Sequence, residues 1–369
     1  MFSMYIWQNE NWPHMKWQND QLLLLLADAN TLRGKLMGRL SMFGIAAQEM
    51  SMLNSITKEI VHSAEIEGEI LNRDSVRSSV ARQLGLEYDG LPKTDHYIEG
   101  VVQIMLDATQ HYKEVINTER LFSWHRALFP YGQSGLYKIR VGEWRTGDEP
   151  MQVVSGAMGK QKIHYEAPPS CDVDRMMVQL LDYINDEHKN IDPLIKAAVV
   201  HLWFVTIHPF DDGNGRLCRT LTEMLLSRAD NTSMRFYSLS SEILNHRKDY
   251  YDILEHIQKG GLDITEWIKW FINTLSNAVQ NAIDKTEHIM LKTKFWDSHT
   301  DIQLNKRQKK IINLLLDGFE GKLNSSKWYK INHCSQDTAN RDINDLIEKQ
   351  ILRKTESGGR STSYELCEF

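Results

Sequence analysis

The stretch His208-Pro-Phe-Asp-Asp-Gly-Asn-Gly-Arg216, continued by Leu217-Cys218-Arg219, joins two apolar segments whose spacing reads as helix, 193–207 and 215–229. A chain built this way must turn tightly at that point and open onto a helix N-terminus. Gly213 and Gly215 let the backbone turn sharply and present bare N–H groups to an anion. The first turn of the following helix adds its unpaired amides and the positive end of its dipole. Arg216 and Arg219 are three residues apart, so they issue from neighbouring positions on one helix face. Two guanidinium groups beside an amide nest make a polyphosphate site. Asp212 is a hard oxygen ligand suited to Mg²⁺, which would bridge phosphate oxygens. Just ahead stands His208, whose ordinary pKa of roughly 6.5 suits proton abstraction near neutrality.

Around this turn the chain is mostly α. Helical periodicity covers 18–48 and 51–71, where Met52, Ile56, Ile60 and Ala64 share a face, then 94–116 and 118–129, the latter after a Thr118 cap. Between 136 and 169, Gly142, Gly147, Gly156 and Gly159 punctuate short runs such as MQVVS and KIHYEA, which predicts a β-hairpin over 151–166, ended by Pro168 and Pro169. Helices follow at 172–187, 193–207, 215–229, 242–258 and 263–292. The last part differs: helices over 304–316, 325–331 and 336–349, then a strand (ILRKT), a turn (ESGGRST) and a second strand (SYELC). That is the outline of a small winged helix, and the change of character sets a boundary near residue 298.

HPFDDGNGRLCR resembles the signature of the Fic family, HPFx[DE]GNGRxxR, and matches it at every fixed position. The resemblance implies an all-helical core with a β-hairpin flap and a reaction that moves AMP from ATP to a Tyr, Thr or Ser hydroxyl of a target protein, possibly itself. By resemblance His208 is the general base and Asp212 holds the metal. Asn214 and the Gly213 and Gly215 amides take the α-phosphate region, Arg216 takes the β/γ-phosphates, and Phe210 is a core anchor. Arg219 joins the ATP-binding set, and Arg247, Tyr250 and Tyr251 resemble the adenine side, with Tyr251 the nucleobase contact. The N-terminal WQNENWPHMKW resembles a domain found ahead of such cores. The domains implied are 1–92, 93–298 as catalytic core, and 299–369.

Ser63-Ala-Glu-Ile-Glu67-Gly68 matches the family's inhibitory pattern [ST]xxxE[GN], on a helix over about 51–71. Ser63 and Glu67 lie one helical turn apart, and a carboxylate there is expected to pair with Arg216 in the place of the γ-phosphate. An alternative within the same chemistry is AMP removal, with Glu67 orienting a water. For Arg219 the competing reading is an exposed ion pair with Glu223 at i+4. His201 reads as a satisfied core histidine, His62 and His164 as structural, and Trp7, Trp12 and Trp17 as packing rather than a ligand cage.

Composition bounds the rest. A hydrophobic share of 41% supports a sizeable core, and a net charge of −6 argues against nucleic-acid binding along the whole chain. Residues 301–369 hold 12 Lys/Arg against 10 Asp/Glu. Asp337, Asp342, Asp345 and Glu348 crowd the helix that carries Asn340 and Arg341, and Arg360 sits in the turn beyond. The balance favours a protein-interaction or dimer-supporting role there over a DNA-binding regulator whose core senses nucleotide. A homodimer is expected on family resemblance alone. The four cysteines show no CxxC spacing and read as reduced thiols. No signal peptide or membrane span is evident, so a soluble, cytoplasmic protein is expected.

Overall fold

The computed structural model describes residues 5–86, 96–156, 162–186, 190–316, 318–319, 321–355 and 362–368. They form two compact units, Met1–Ala282 and Ile283–Phe369. The chain is mostly helical, as its periodicity predicts.

The first unit opens with a 3₁₀ turn, Ile6–Gln8, followed by α1 (Asn19–Leu40) and α2 (Ile45–Ile66). The break between these helices falls at 41–44, several residues before the one expected from spacing, because Gly44 is extended there and starts α2. α2 also stops short of residue 71. Glu67 is its cap, and Gly68 follows at φ +85°, a left-handed value that ends a helix at little cost only for glycine. α3 (Arg73–Gln83) was not legible: it is strongly polar and buries only Val76, Val80 and Ala81 among its apolar residues. α4 spans His96–Gln110 and α5 Thr118–Leu128. The cap of α5 is Asn117 rather than Thr118; its side chain accepts from the Arg120 N–H.

Short strands follow. β1 (Gln133–Ser134) pairs with β2 (Tyr137–Lys138), and β3 (Gln152–Ser155) with β4 (Lys162–Glu166), both antiparallel, with a register shift between Val153 and Val154. Gly159 of the predicted hairpin lies outside the described residues. Then come α6 (Ser170–Asn185), α7 (Pro193–Ile207), α8 (Asn214–Asp230), α9 (Leu239–Asn245), α10 (Arg247–Gln258) and α11 (Thr265–Ser298). Where one helix was expected over 242–258 there are two, parted at His246, whose φ of −117° leaves the helical range. α11 runs on to Ser298, so the change of sequence character near 298 marks its end.

α7 is the spine of this unit. Every residue from Leu194 to Ile207 except Lys196 is buried, the signature of a helix covered on all sides. Asp192 caps it by accepting the Leu194 N–H, with Pro193 in the first turn. His201, within it, hydrogen-bonds Thr222 Oγ1 and Tyr250 Oη, both at 2.9 Å, and burial presses its pKa down to about 3. It is the satisfied core histidine expected. Arg235 is buried between Glu223 (2.7 Å) and Asp230 (2.5 Å), and Asp230 also binds Arg33. Glu223 is thereby committed to Arg235, which removes the exposed Arg219–Glu223 pair from consideration. His62 bonds Ser241 Oγ at 2.8 Å, tying α2 to α9, and His164 on β4 bonds Glu255 of α10 at 2.5 Å. The Trp7 indole donates to the Glu166 carbonyl, Trp12 meets Trp203 edge to face, and Trp17 donates to Asn19.

The second unit holds α12 (Lys306–Leu316), α13 (Ser325–Asn332), α14 (Gln336–Glu348) and the antiparallel pair β5 (Leu352–Lys354) and β6 (Tyr364–Leu366). Its core gathers Phe295, Ile311, Ile312, Trp328, Ile343, Leu346 and Ile351. Asp342 is buried and turned to Arg307 (2.7 Å) and Asn305 (2.9 Å); Asp345 accepts from Gln308 and Lys349. The acidic crowding expected on α14 is thus partly neutralised within the unit, while Asn340 and Arg341 stay exposed. The turn bearing Arg360 lies outside the described residues. All four cysteines are free thiols, and among the described residues no helix is long and apolar enough to cross a membrane.

Candidate active site

The turn after α7 is made by His208 itself, in left-handed conformation at φ 53°, ψ 60°, a strained place for a non-glycine residue. Its backbone N–H still donates to the Phe204 carbonyl, closing the helix. Its Nδ1 lies 3.3 Å from the Val205 carbonyl, a geometry in which Nδ1 carries the proton and Nε2 keeps its lone pair. Burial foremost lowers the His208 pKa, so the ring is neutral near pH 7. The Arg145 guanidinium donates to the His208 carbonyl at 2.8 Å and the Pro168 carbonyl at 2.5 Å, and its backbone N–H donates to Pro209. One buried cation thereby fixes both flanks of the turn.

Phe210 is fully buried, stacked on His125 with ring centres 4.1 Å apart. His125 donates from Nε2 to the Asp212 carbonyl (3.2 Å) and accepts the Gly142 N–H at Nδ1 (3.0 Å). Only a neutral imidazole does both, and burial holds its pKa down at about 4. Asn214 was expected in the α-phosphate region. Its side-chain amide bonds Phe210, donating to that carbonyl at 2.8 Å and accepting that N–H at 2.9 Å. It is a clip that holds the turn closed. Gly213 has φ +81°, and a Cβ there would fall 2.7 Å from Leu128 and 2.8 Å from Phe129, so only glycine fits. Asp212 accepts the Gly213 N–H at 2.6 Å, takes the Ser134 hydroxyl, and lies 3.6 Å from Arg216.

The Ser63–Gly68 motif meets this loop, with one exchange of partner. Glu67 was expected to pair with Arg216; it pairs with Arg219, Nη2 to Oε1 at 2.8 Å. Arg219 is 1% exposed and also donates from Nε to Ser63 Oγ (2.8 Å) and from Nη2 to the Ser63 carbonyl (2.7 Å). Arg216 is held by residues beyond the Gly68 turn and on α4: its Nη1 donates to Glu69 and to the Tyr97 oxygen, both at 2.8 Å. The reason is geometric. The end of α2 runs beside α8, so its last turn meets the deeper arginine and the chain past Gly68 meets the outer one. The Glu67 carboxylate also lies on the bare backbone of Gly215, 1.9 Å from where a Cβ would stand.

Two polar atoms here are buried without a partner: Arg216 Nε and Arg219 Nη1. Guanidinium N–H groups in that state demand an acceptor, and an anion set over Gly215 would supply it. Among the described residues no cluster of three or more His, Cys, Asp or Glu could hold a metal alone. A Mg²⁺ at the half-exposed Asp212 therefore fits only with phosphate oxygens completing its shell. Tyr251 was expected at the nucleobase; its hydroxyl donates to the Ile66 carbonyl at 3.3 Å, beside Arg247, which donates there at 2.7 Å. Both fasten the end of α2. Tyr250 is core, bonded to His201.

His125, Arg145, Glu69 and Tyr97 were missed from sequence. The first two act on carbonyls of residues far along the chain, and no spacing signals that. Glu69 had a signal: it stands two residues past Glu67, across Gly68.

Residues 115–226, which carry the loop and both its arginines, match the Fic/DOC family, and residues 5–86 match a domain of unknown function, DUF4172. A protein adenylyltransferase Fic of Culex quinquefasciatus is 25% identical over 236 residues, 62% of this chain and 41% of that protein. The chain thus matches less than half the length of that relative. A crystal structure of a Fic family protein from Desulfovibrio desulfuricans G20 superposes with a TM-score of 0.53 at 23% identity, covering 94% of this chain and 95% of that one. A Fic domain protein from Bacteroides thetaiotaomicron VPI-5482 gives a TM-score of 0.52 at 19% identity over 70% of this chain and 95% of that one. At these identities the structural likeness speaks for the fold.

The Asn214 clip carries its own expected outcome. Asn214→Ala leaves the Phe210 N–H and carbonyl buried and unpaired, and should destabilise the first unit by about 1–3 kcal/mol in the absence of any nucleotide. Urea unfolding checks this; unchanged stability would return Asn214 to a role in ligand contact alone.

Proposed function

We propose that this chain is a protein adenylyltransferase that moves AMP from ATP onto a Tyr, Thr or Ser hydroxyl of a target protein, and that Glu67 restrains it. The observation that carries the reading is the pair of buried, partnerless guanidinium atoms, Arg216 Nε and Arg219 Nη1, beside the bare backbone of Gly215 and downstream of a neutral His208. That is a cationic cup with donor capacity beyond its Glu67 and Glu69 partners, next to a base. The names of the curated relatives support the same chemistry.

His208 Nε2 takes the proton of the acceptor hydroxyl as its oxygen attacks the α-phosphorus of ATP. The bond to the bridging oxygen breaks, pyrophosphate leaves, and an AMP ester remains on the protein. The amides at the start of α8, with Arg216 and Arg219, hold the phosphate charge. Mg²⁺ at Asp212 would supply neutralisation of that charge. Glu67 opposes binding in the productive pose, because its carboxylate occupies the floor above Gly215 and engages Arg219. The β3–β4 pair lies upstream of the loop and suits pairing with an extended target segment.

Labelled-ATP incorporation tests this. Glu67→Gly should raise AMP transfer, including onto the protein itself, by about tenfold or more, the scale of losing a close charged contact. Unchanged transfer with ATP still bound would remove the restraint. His208→Ala should abolish transfer while nucleotide affinity stays nearly intact. Because the depressed pKa keeps the ring neutral, activity should persist as pH falls and be lost only below the ordinary imidazole value of roughly 6.5. An acid limb above that value would disqualify His208 as the base.

For the second unit, the inward turn of Asp342 favours a reading the charge count had disfavoured: α14 as a DNA-facing helix, with Asn340 and Arg341 outward beside Asp337 and Glu348. The full chain should shift double-stranded DNA in a gel, with affinity falling steeply as salt rises, and Arg341→Ala should weaken it. No shift at low salt would leave the protein-interaction role.

A further inference from the structure

Glu67 is one of two carboxylates that the chain at the end of α2 brings to the arginines of α8. Glu69 stands on the other side of Gly68, whose φ of +85° turns the chain between them, and each carboxylate takes a different arginine of α8. Glu69 Oε2 accepts from Arg216 Nη1 at 2.8 Å and from the Tyr97 hydroxyl at 2.6 Å, and Arg216 Nη1 also donates to the Tyr97 oxygen at 2.8 Å. These three groups form a closed triangle that ties the segment after α2 and the first turn of α4 to the first turn of α8. The Arg216 side chain is 12% exposed and that of Glu69 35%, so the contact is only partly open to solvent. The Tyr97 pKa is raised, burial foremost, which keeps its proton in place to bond Glu69. Meanwhile Arg216 Nε remains buried and without an acceptor. The guanidinium is therefore held from one side and unsatisfied on the other.

Resting on the adenylyltransferase reading above, we propose that Glu69 and Tyr97 form a second latch, distinct from Glu67, that holds Arg216 and weakens its grip on the terminal phosphates of ATP. The restraint then has two halves across one glycine: Glu67 engages Arg219 and Glu69 engages Arg216. A change at Glu67 alone frees one arginine and leaves the other latched.

The latch acts on the arginine assigned to the outer phosphates, which sets its test apart from a general effect on folding. Binding of ATP, ADP and AMP, each with Mg²⁺, is measured by calorimetry for the full chain and for Glu69→Gln, Tyr97→Phe, Glu67→Gly and the double variant Glu67→Gly/Glu69→Gln. Glu69→Gln should tighten ATP and ADP by about fivefold, the scale of losing one partly exposed ion pair, and leave AMP unchanged. Tyr97→Phe should tighten ATP less, by about twofold, with AMP again unchanged, and it carries the test if Glu69→Gln folds poorly. The double variant should bind ATP more tightly than Glu67→Gly and incorporate more labelled AMP. Equal ATP affinity for Glu69→Gln, Tyr97→Phe and the parent chain would overturn the latch while leaving the adenylyltransferase reading intact; so would a gain of equal size for AMP. Failure of every form, Glu67→Gly included, to bind ATP would overturn both.

Discussion

A buried guanidinium organises this site. Arg219 is almost wholly removed from water, and a charge in that position persists only if hydrogen-bonded and neutralised nearby. Ser63 and Glu67 do both, so the end of α2 is bound to the second turn of α8 by the requirement of that charge. Burial works against the cation, and the Glu67 carboxylate more than offsets it, which raises the Arg219 pKa. The Glu67–Arg219 contact thus helps hold α2 in place, and it does not satisfy the arginine completely, since Nη1 has no acceptor. A site whose resting partner leaves a donor unmet is one that a larger anion can compete for.

The loop itself is rigid for a different reason. Its polar groups are consumed internally: Asn214 clips Phe210, His125 holds the Asp212 carbonyl, and Arg145 holds the carbonyls of His208 and Pro168. Phe210 seals the underside against His125 and Trp144. With the backbone fixed this way, the amides at the start of α8 and the His208 ring keep a set relation to one another, which is what preorganisation of a phosphoryl-type site requires. The left-handed backbone at His208 is compensated by these surrounding bonds.

The second unit shows how packing redistributes the charges that a count assigns to a small domain. By number, acidic residues crowd α14; in the fold, Asp342 is buried against Arg307 of α12, while Asp345, still partly exposed, pairs with Lys349 at the end of α14. What the helix shows outward differs from what its composition suggests, because a helical face is selected by packing and not by the sum of its charges.

The sequence by itself determined the helical class, the position of the loop, the need for glycine at 213, the core place of Phe210 and His201, and the presence of a carboxylate one turn from Ser63. These follow from local spacing and from backbone conformations that few residues adopt. Only the tertiary structure decided which arginine Glu67 takes, that the Asn214 amide clips Phe210, that Tyr251 fastens the end of α2, and that Glu69, Tyr97, His125 and Arg145 lie against the loop and its arginines. Each of those depends on which helices lie side by side and at what height, and a one-dimensional pattern fixes the face a residue occupies without fixing the neighbour that face meets.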